Sequence, residues 1–491
     1  MNARANADVC LILEGTYPYV PGGVAAWTHD LISKQSHLAF HLVCILPRDE
    51  KLKMHYELPK NVVSLTNLHI QHLPTVAALS KTRAALLMEA LKDPLVTMTT
   101  GKASQEDFRR ILKTLSDYGP LSAETLMDSH EAWDLLTNMY ETSFAESSFL
   151  DYFWSWRALM GGLYSIAMAQ IPQAKIYHAL STGYAGLMAS RCAIETGKPA
   201  MVTEHGIYTN ERRIEISSAD WLEETASKSL TIDRTRLNLR DMWIDTFTNY
   251  SRICYETCDP IITLFSGNQP AQLADGANPA SMRIIPNGID VERYGAIRRR
   301  EHDRPTVALI GRVVPIKDIK GFLRAMSMLR DQMPDIKVLI MGPMDEDPDY
   351  AHECTNLCEY LALKDTVTFT GKVRIDEYLP DIDVVAFSSL SEAQPLTILE
   401  AGACGIPVVA TNVGACKEMV LGSDEENPQM GPGGVIVPLA NPQALAEGCL
   451  QLLRDREFYN QCSAAMRTRV ATYYNKDEQH SAYQSLYASL G

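Results

Sequence analysis

Between Thr306 and Ala410 the chain sets five short apolar runs, Thr306–Ile310, Lys337–Met341, Val367–Thr370, Val384–Phe387 and Val408–Ala410, against stretches of helical spacing. Strands that are apolar along nearly their whole length are covered on both faces, as in a parallel sheet of a doubly wound α/β layer. The helices that cover it are expected at Ile319–Met333, Tyr350–Leu361, Ile375–Leu379 and Leu396–Cys404. This pattern also constrains function. Open α/β sheets take ligands outside the carboxyl ends of their strands, so the chemistry belongs on loops just after strands.

The first half begins the same way. Val9–Leu13 reads as a strand ending in Glu14-Gly15-Thr16, followed by a loop Tyr17–Gly23 that carries the pair Gly22-Gly23. A helix from Val24 to Lys34 and a strand Leu42–Leu46 follow. From Leu73 to Ile171 strand signals nearly vanish and apolar residues recur at helical spacing, which predicts a helical insertion over about 73–171. Its aromatics, Trp133, Tyr140, Phe149, Phe153, Trp154 and Trp156, read as core in preference to a carbohydrate platform. Alternation resumes with strands at Ile176–Ala179, Met201–Thr203, Pro260–Leu264 and Ser281–Pro286, a helix Gly183–Thr196, and helical spacing over Trp221–Tyr255. A polar, charged linker at Arg298–Pro305 sets the expected boundary. The domains are then 1–297 and 298–470, with a last helical segment 471–491 crossing back to the first. A chain of 491 residues exceeds one hydrophobic core, in keeping with two domains.

Charge and cysteine usage remove several functions. Forty-five Lys and Arg against 60 Asp and Glu give a net charge of −15, opposite to the basic surface that non-specific nucleic-acid binding needs. The 11 cysteines have no zinc or disulfide spacing and read as buried thiols of a reducing compartment. Met1–Asp8 is short and polar, and Cys10–Leu13 is too brief for a signal core. Ala158–Ala174 is uncharged but interrupted by Gly161, Gly162 and Pro172, which fits a buried helix better than a membrane span. Neither Gly-x4-Gly-Lys-Ser/Thr nor Gly-x-Gly-x-x-Gly after the first strand occurs.

Two motifs carry chemistry. In Ser391–Ala401, Glu392 and Glu400 flank the start of a helix whose first turn follows Pro395. The amides of Leu396 and Thr397 there lack helical partners and suit a phosphate. A carboxylate one turn further, Glu400, can accept two hydroxyl bonds, as a ribose diol offers. The second motif, Gly311-Arg312-Val313-Val314-Pro315-Ile316-Lys317, leaves the strand Thr306–Ile310 directly. A guanidinium fork and a point ammonium suit a diphosphate. Each alone also describes a solvated surface. His205 follows Met201–Thr203, which puts it at a strand end, with Arg212 and Arg213 close behind; those two suit an acceptor or a phosphate, and a solvated helix explains them equally well. Asp345-Glu346-Asp347 has the alternation of a magnesium site but is read as a solvated loop.

Together the motifs resemble the retaining glycosyltransferases of family 4, which have the GT-B fold: two Rossmann-like domains facing a cleft. Gly22-Gly23, Pro286-Asn287-Gly288-Ile289-Asp290 and Gly342-Pro343 belong to the same resemblance, which covers nearly the whole chain. The segments Glu14–Val20, Thr203–Thr209, Pro315–Lys320, Asp345–Pro348 and Ser391–Pro395 look like the Pel exopolysaccharide glycosyltransferase subfamily, which is also enlarged at the helical insertion. One departure from the wider family is Asp318, where a glycine commonly follows the lysine.

The resemblance implies the following roles. Arg312 and Lys317 hold the donor diphosphate and stabilise the leaving nucleotide. Glu400 takes the ribose, Leu396 and Thr397 offer amides to phosphate, and Lys372-Val373 lies against the base. Gly342 and the Gly22-Gly23 loop approach the donor closely. His205 and Glu392 act at the donor sugar. The implied donor is a UDP-hexose or UDP-N-acetylhexosamine, the acceptor a growing exopolysaccharide, and no metal or other cofactor is needed. The implied place is the cytoplasm, with recruitment to the inner membrane face by membrane-embedded synthase or export partners. A GT-B nucleotide-sugar epimerase, or a non-catalytic nucleotide-sugar-binding subunit of such a synthase, are the alternatives the same motifs admit.

Overall fold

The computed structural model describes residues 7–47, 52–217 and 238–491. Its strands form two sheets, in which every recorded pairing is parallel. The first contains β1 (Ala7–Glu14), β2 (Phe40–Leu46), β3 (Val62–His69), β4 (Ala174–Ala179), β5 (Ala200–Glu204), β6 (Ile261–Thr263) and β7 (Met282–Ile284), in the order β3-β2-β1-β4-β5-β6-β7. The second contains β8 (Thr306–Ile310), β9 (Lys337–Met341), β10 (Val367–Gly371), β11 (Val384–Phe387), β12 (Val408–Thr411) and β13 (Gly434–Val437), in the order β10-β9-β8-β11-β12-β13. Both orders reverse beside their first strand. That switch point, between β1 and β4 or between β8 and β11, is where neighbouring strand-end loops diverge and leave room for a ligand.

The central strands are buried along their length, as continuous apolar runs require: β5, β8, β11 and β12 have no exposed residue. Two strands carry no such sequence signal. β3 holds Ser64, Thr66 and Asn67 and is only half buried, because it is an edge strand. β13 is short, starts at Gly434 and closes the other sheet's far edge. The expected strand Ser281–Pro286 contracts to Met282–Ile284. Of the helical spacing over Trp221–Tyr255, the part from Leu239 forms a helix Leu239–Thr257, and 221–237 lie outside the described residues.

Between β3 and β4 there is no strand. Helices at Lys81–Thr100, Gln105–Ser116, Ala123–Leu126, His130–Ser143 and Phe149–Met168 fill that interval. Four of them start on serine caps, Ser104, Ser122, Ser129 and Ser148, whose side chains accept an amide of the first turn. Their apolar faces, with Phe108, Ile111, Leu115, Trp156 and Leu163, join the core under the first sheet. Buried Asn249, on Leu239–Thr257, accepts the Ala103 amide at 3.0 Å and donates to Met98 and Gly101 carbonyls at 2.9 Å each. The aromatic stripe divides: Trp156 is core, whereas Trp154 is 60% exposed and Trp133 45%.

The chain forms two compact units: Met1–Thr263 with Asn268–Ile284 and Tyr483–Gly491, and Leu264–Gly267 with Ile285–Ala482. The change of unit falls at Ile284/Ile285, ahead of the charged linker, because the Pro286–Asp290 segment hydrogen-bonds within the second unit: Ile289 donates to Tyr474 and Lys476 to Ile289. The second unit likewise runs past 470. The last helix, Lys476–Leu490, ends in the first unit, where Tyr483 and Tyr487 are buried. Among the described residues no helix is long and apolar enough to cross a membrane.

Candidate functional site

In the second unit the loops after β8, β11 and β12 are stitched together. The Ser388 hydroxyl donates to the Lys317 and Asp318 carbonyls at 2.8 and 3.0 Å, and the Leu390 amide to Ile316 at 2.8 Å. Thr411 donates to the Ser389 carbonyl at 2.6 Å, and the Ala415 amide to Ala393 at 2.8 Å. Gly342 lets the loop after β9 lie against the Gly311 carbonyl, which a Cβ would overlap. The result is a fixed edge at the β8/β11 switch point.

On that edge Lys317 pairs with Glu392, which also accepts from the Ser389 hydroxyl at 2.7 Å. The side chains are 16% and 11% exposed, so this pair is largely out of water, unlike an ordinary surface pair. Arg312 has a separate partner, Glu346, and that pair is half exposed on both sides. Asp347 caps the helix Pro348–Tyr360 by accepting the Tyr350 amide at 3.0 Å. Two of the three loop carboxylates therefore have work within the protein, and among the described residues no group of three His, Cys, Asp or Glu could hold a metal.

Asp318 adopts φ 45° and ψ 51°, the left-handed region, while its carboxylate caps the following helix through the Gly321 amide at 3.0 Å. The backbone demand explains why glycine fits this position. The cap offsets the strain that an aspartate accepts there.

The helix Leu396–Ala403 starts after Pro395, so the Leu396 and Thr397 amides have no carbonyl one turn earlier to bond. One turn on, Glu400 accepts the Tyr294 hydroxyl at 2.9 Å through Oε1. Its Oε2 is buried with no partner among the described residues. Burial raises the Glu400 carboxyl above its ordinary range, against the Tyr294 bond. Lys372 is exposed and lines a depression of about 520 Å³ with Pro343, Met344, Asp345 and Pro348; Val373 follows it on the chain. Tyr294 and Ser389 carried no sequence signal. Tyr294 lies far from Glu400 in sequence, and a serine near a glutamate is commonplace.

In the first unit His205 leaves the end of β5 with its ring 4.7 Å, edge to face, from Trp27, which packs in turn 5.3 Å from Tyr483. Its Nε2 is buried and has no partner among the described residues. Burial depresses the imidazole to about 4, so it is neutral at pH 7. Behind it, buried His178 holds Tyr487 at 2.8 Å and Thr203 at 2.9 Å, and Thr203 meets Tyr483 at 3.1 Å. Two sequence segments converge here as well: Tyr208 donates to Glu14 at 2.8 Å, and Arg212 lies 4.9 Å over the Tyr208 ring. Gly22 and Gly23 are exposed, and a Cβ on either would meet no protein atom within 4 Å. The protein's own packing therefore does not demand glycine at those two positions.

A family model described as "Domain of unknown function (DUF3492)" matches residues 7–280, more than half of the chain. The chain belongs to that family. In this DUF3492 chain residues 290–469 also match the model "Glycosyl transferases group 1". It is 28% identical over 241 residues to a GDP-mannose-dependent alpha-(1-6)-phosphatidylinositol monomannoside mannosyltransferase of Mycobacterium tuberculosis, covering 44% of this chain and 58% of that protein. It is 28% identical over 198 residues to a D-inositol 3-phosphate glycosyltransferase of Kineococcus radiotolerans, covering 37% and 45%. The chain thus spans about half the length of these relatives. Among solved structures it is similar to Anabaena HepE in complex with UDP, at 13% identity, 98% and 100% coverage and a TM-score of 0.59. It is also similar to sucrose-phosphate synthase from Thermosynechococcus elongatus, at 15% identity, 98% coverage of each and a TM-score of 0.57. The fold is GT-B: two Rossmann-like parallel-sheet domains.

Proposed function

We propose that this DUF3492 chain is a retaining glycosyltransferase that takes a sugar from a UDP-hexose or UDP-N-acetylhexosamine and adds it to a growing exopolysaccharide. The observation that carries the transferase reading is that Glu400, with its buried and unpaired Oε2, and the Lys317–Glu392 ion pair both follow strands at one sheet's switch point, inside the segment matching Glycosyl transferases group 1. The relatives named as mannosyl and inositol phosphate glycosyltransferases support it, as does fold similarity to a UDP complex. The Pel-type assignment, close to PelF, rests on the sequence segments alone.

In this reading the ribose diol satisfies the orphaned Glu400 Oε2, and the Leu396 and Thr397 amides meet a phosphate. Lys317 exchanges Glu392 for the diphosphate, which leaves Glu392 free to orient the sugar hydroxyls. Arg312 likewise leaves Glu346 for phosphate. Charge that develops on the leaving nucleotide then meets fixed cations and helix-end amides, so catalysis is mainly electrostatic and positional. Lys372-Val373 lies against the base, Gly342 and the Gly22-Gly23 loop admit close approach, and neutral His205 acts at the donor sugar. No metal is required, and polymer export falls to membrane partners.

The test is nucleotide release from UDP-glucose and UDP-N-acetylglucosamine, with and without oligosaccharide acceptor, by wild type, Lys317→Ala and His205→Ala. Acceptor-dependent release is expected. Lys317→Ala should weaken UDP binding and turnover together, whereas His205→Ala should lower kcat with UDP affinity kept, the sign of an interaction made mainly in the transition state. Conversion of the UDP-sugar without acceptor would instead establish the epimerase.

A further inference from the structure

Gln394 lies on the loop between β11 and the helix Leu396–Ala403, two residues after Glu392. The residue is 7% exposed. Oε1 accepts the Asn287 backbone amide at 2.7 Å. Only an oxygen can answer an N–H, so that bond fixes which end of the amide is which. The other end, Nε2, is buried and has no partner among the described residues, and neither has the buried Oδ1 of Asn287.

The backbone on this loop is pinned at two points. Its backbone is held by the Ala415–Ala393 bond at 2.8 Å. Gly414, at φ 51°, lies against the Glu392 carbonyl so closely that a Cβ would overlap it. A buried amide donor without an acceptor is unfavourable, and so is a buried carboxylate oxygen without a donor. The two occur on one helix entry: the donor at Gln394 Nε2 and the acceptor at Glu400 Oε2. A nucleotide sugar offers the complement of both, hydroxyls that donate and phosphate or sugar oxygens that accept.

We infer that Gln394 is a donor-binding residue that gives its side-chain amide to an oxygen of the nucleotide sugar while its carbonyl holds Asn287. This rests on the glycosyltransferase reading. The oxygen belongs either to the diphosphate or to the sugar, and the experiment separates them. Gln394→Glu keeps an oxygen for the Asn287 amide and removes the NH2 group; Gln394→Met removes both without adding charge.

Calorimetric titrations of wild type and both variants use UDP, UDP-glucose, GDP and GDP-mannose, with circular dichroism and ligand-free thermal transitions confirming the fold. The expected result is a loss of about tenfold in affinity in both folded variants, from the unpaired acceptor. If the loss appears with the bare diphosphate, the oxygen is a phosphate's; if only with the nucleotide sugar, it is the sugar's. A folded variant, either one, that binds every ligand within about twofold of wild type overturns the inference while the glycosyltransferase reading stands. A wild type that binds none of the four removes that reading and the inference together.

Discussion

Lys317 and Asp318 sit side by side under different constraints. Lys317 must present an ammonium, and its neighbour must turn the chain through φ 45° into a helix. Aspartate does this by capping, glycine by having no Cβ. Asp318→Ala keeps the Cβ and loses the cap, so it should destabilise by about 1–3 kcal/mol, more than Asp318→Gly. Urea unfolding of the two variants checks the order, and an alanine variant as stable as the glycine variant would contradict it. The sequence shows the departure at 318 but not its conformation, since one residue's φ leaves no periodic trace. The positions of Glu392, Glu400 and Lys317 are legible for another reason: each follows a strand or enters a helix. Tyr294 was not, because nothing local links it to Glu400.

At the scale of elements, strand ends of the first sheet are fixed by the last helix. His178 on β4 is fully buried between Thr203 and Tyr487, and burial depresses it to about 3. The unfolded chain takes a proton near pH 6.5 that the folded protein refuses until about pH 3. The contribution is therefore destabilising on acidification, beginning below pH 6.5. Glu204, raised to about 6 by burial, acts oppositely: its folded form holds a proton between about pH 4.5 and 6 that the unfolded chain releases. A comparison of wild type with His178→Gln isolates the histidine. The stability of wild type relative to the variant should rise with pH from 4 to 6.5 by about 1.4 kcal/mol per unit. Thermal unfolding across that range measures it, and a difference independent of pH would show that His178 keeps its proton in the fold. The same scale shows where sequence reading works. Buried central strands such as β8 and β11 announce themselves by continuous apolar residues. β3, at an edge, alternates too weakly and carries Ser64, Thr66 and Asn67.

For the whole molecule, the two-sheet plan was legible because βαβ alternation repeats. The change of unit was displaced because a charged linker signals exposure, whereas the backbone bonds of Ile289 that draw Pro286–Asp290 into the second unit have no compositional signature. In the proposed function the leaving nucleotide is neutralised by Arg312 and Lys317, not through the acidic loop. Transfer should therefore survive EDTA, measured as UDP release before and after chelation. Activity abolished by chelation and restored by magnesium would return Asp345–Asp347 to consideration as a metal site.

The proposed function places a nucleotide sugar at the carboxyl edge of the second sheet, with its ribose on Glu400. The direct measurement is a calorimetric titration of wild type and Glu400→Ala with UDP, both checked as folded by circular dichroism. Loss of the buried acceptor should weaken binding by about 1–3 kcal/mol, roughly 5- to 150-fold. Unchanged UDP affinity in a folded Glu400→Ala protein would contradict the account.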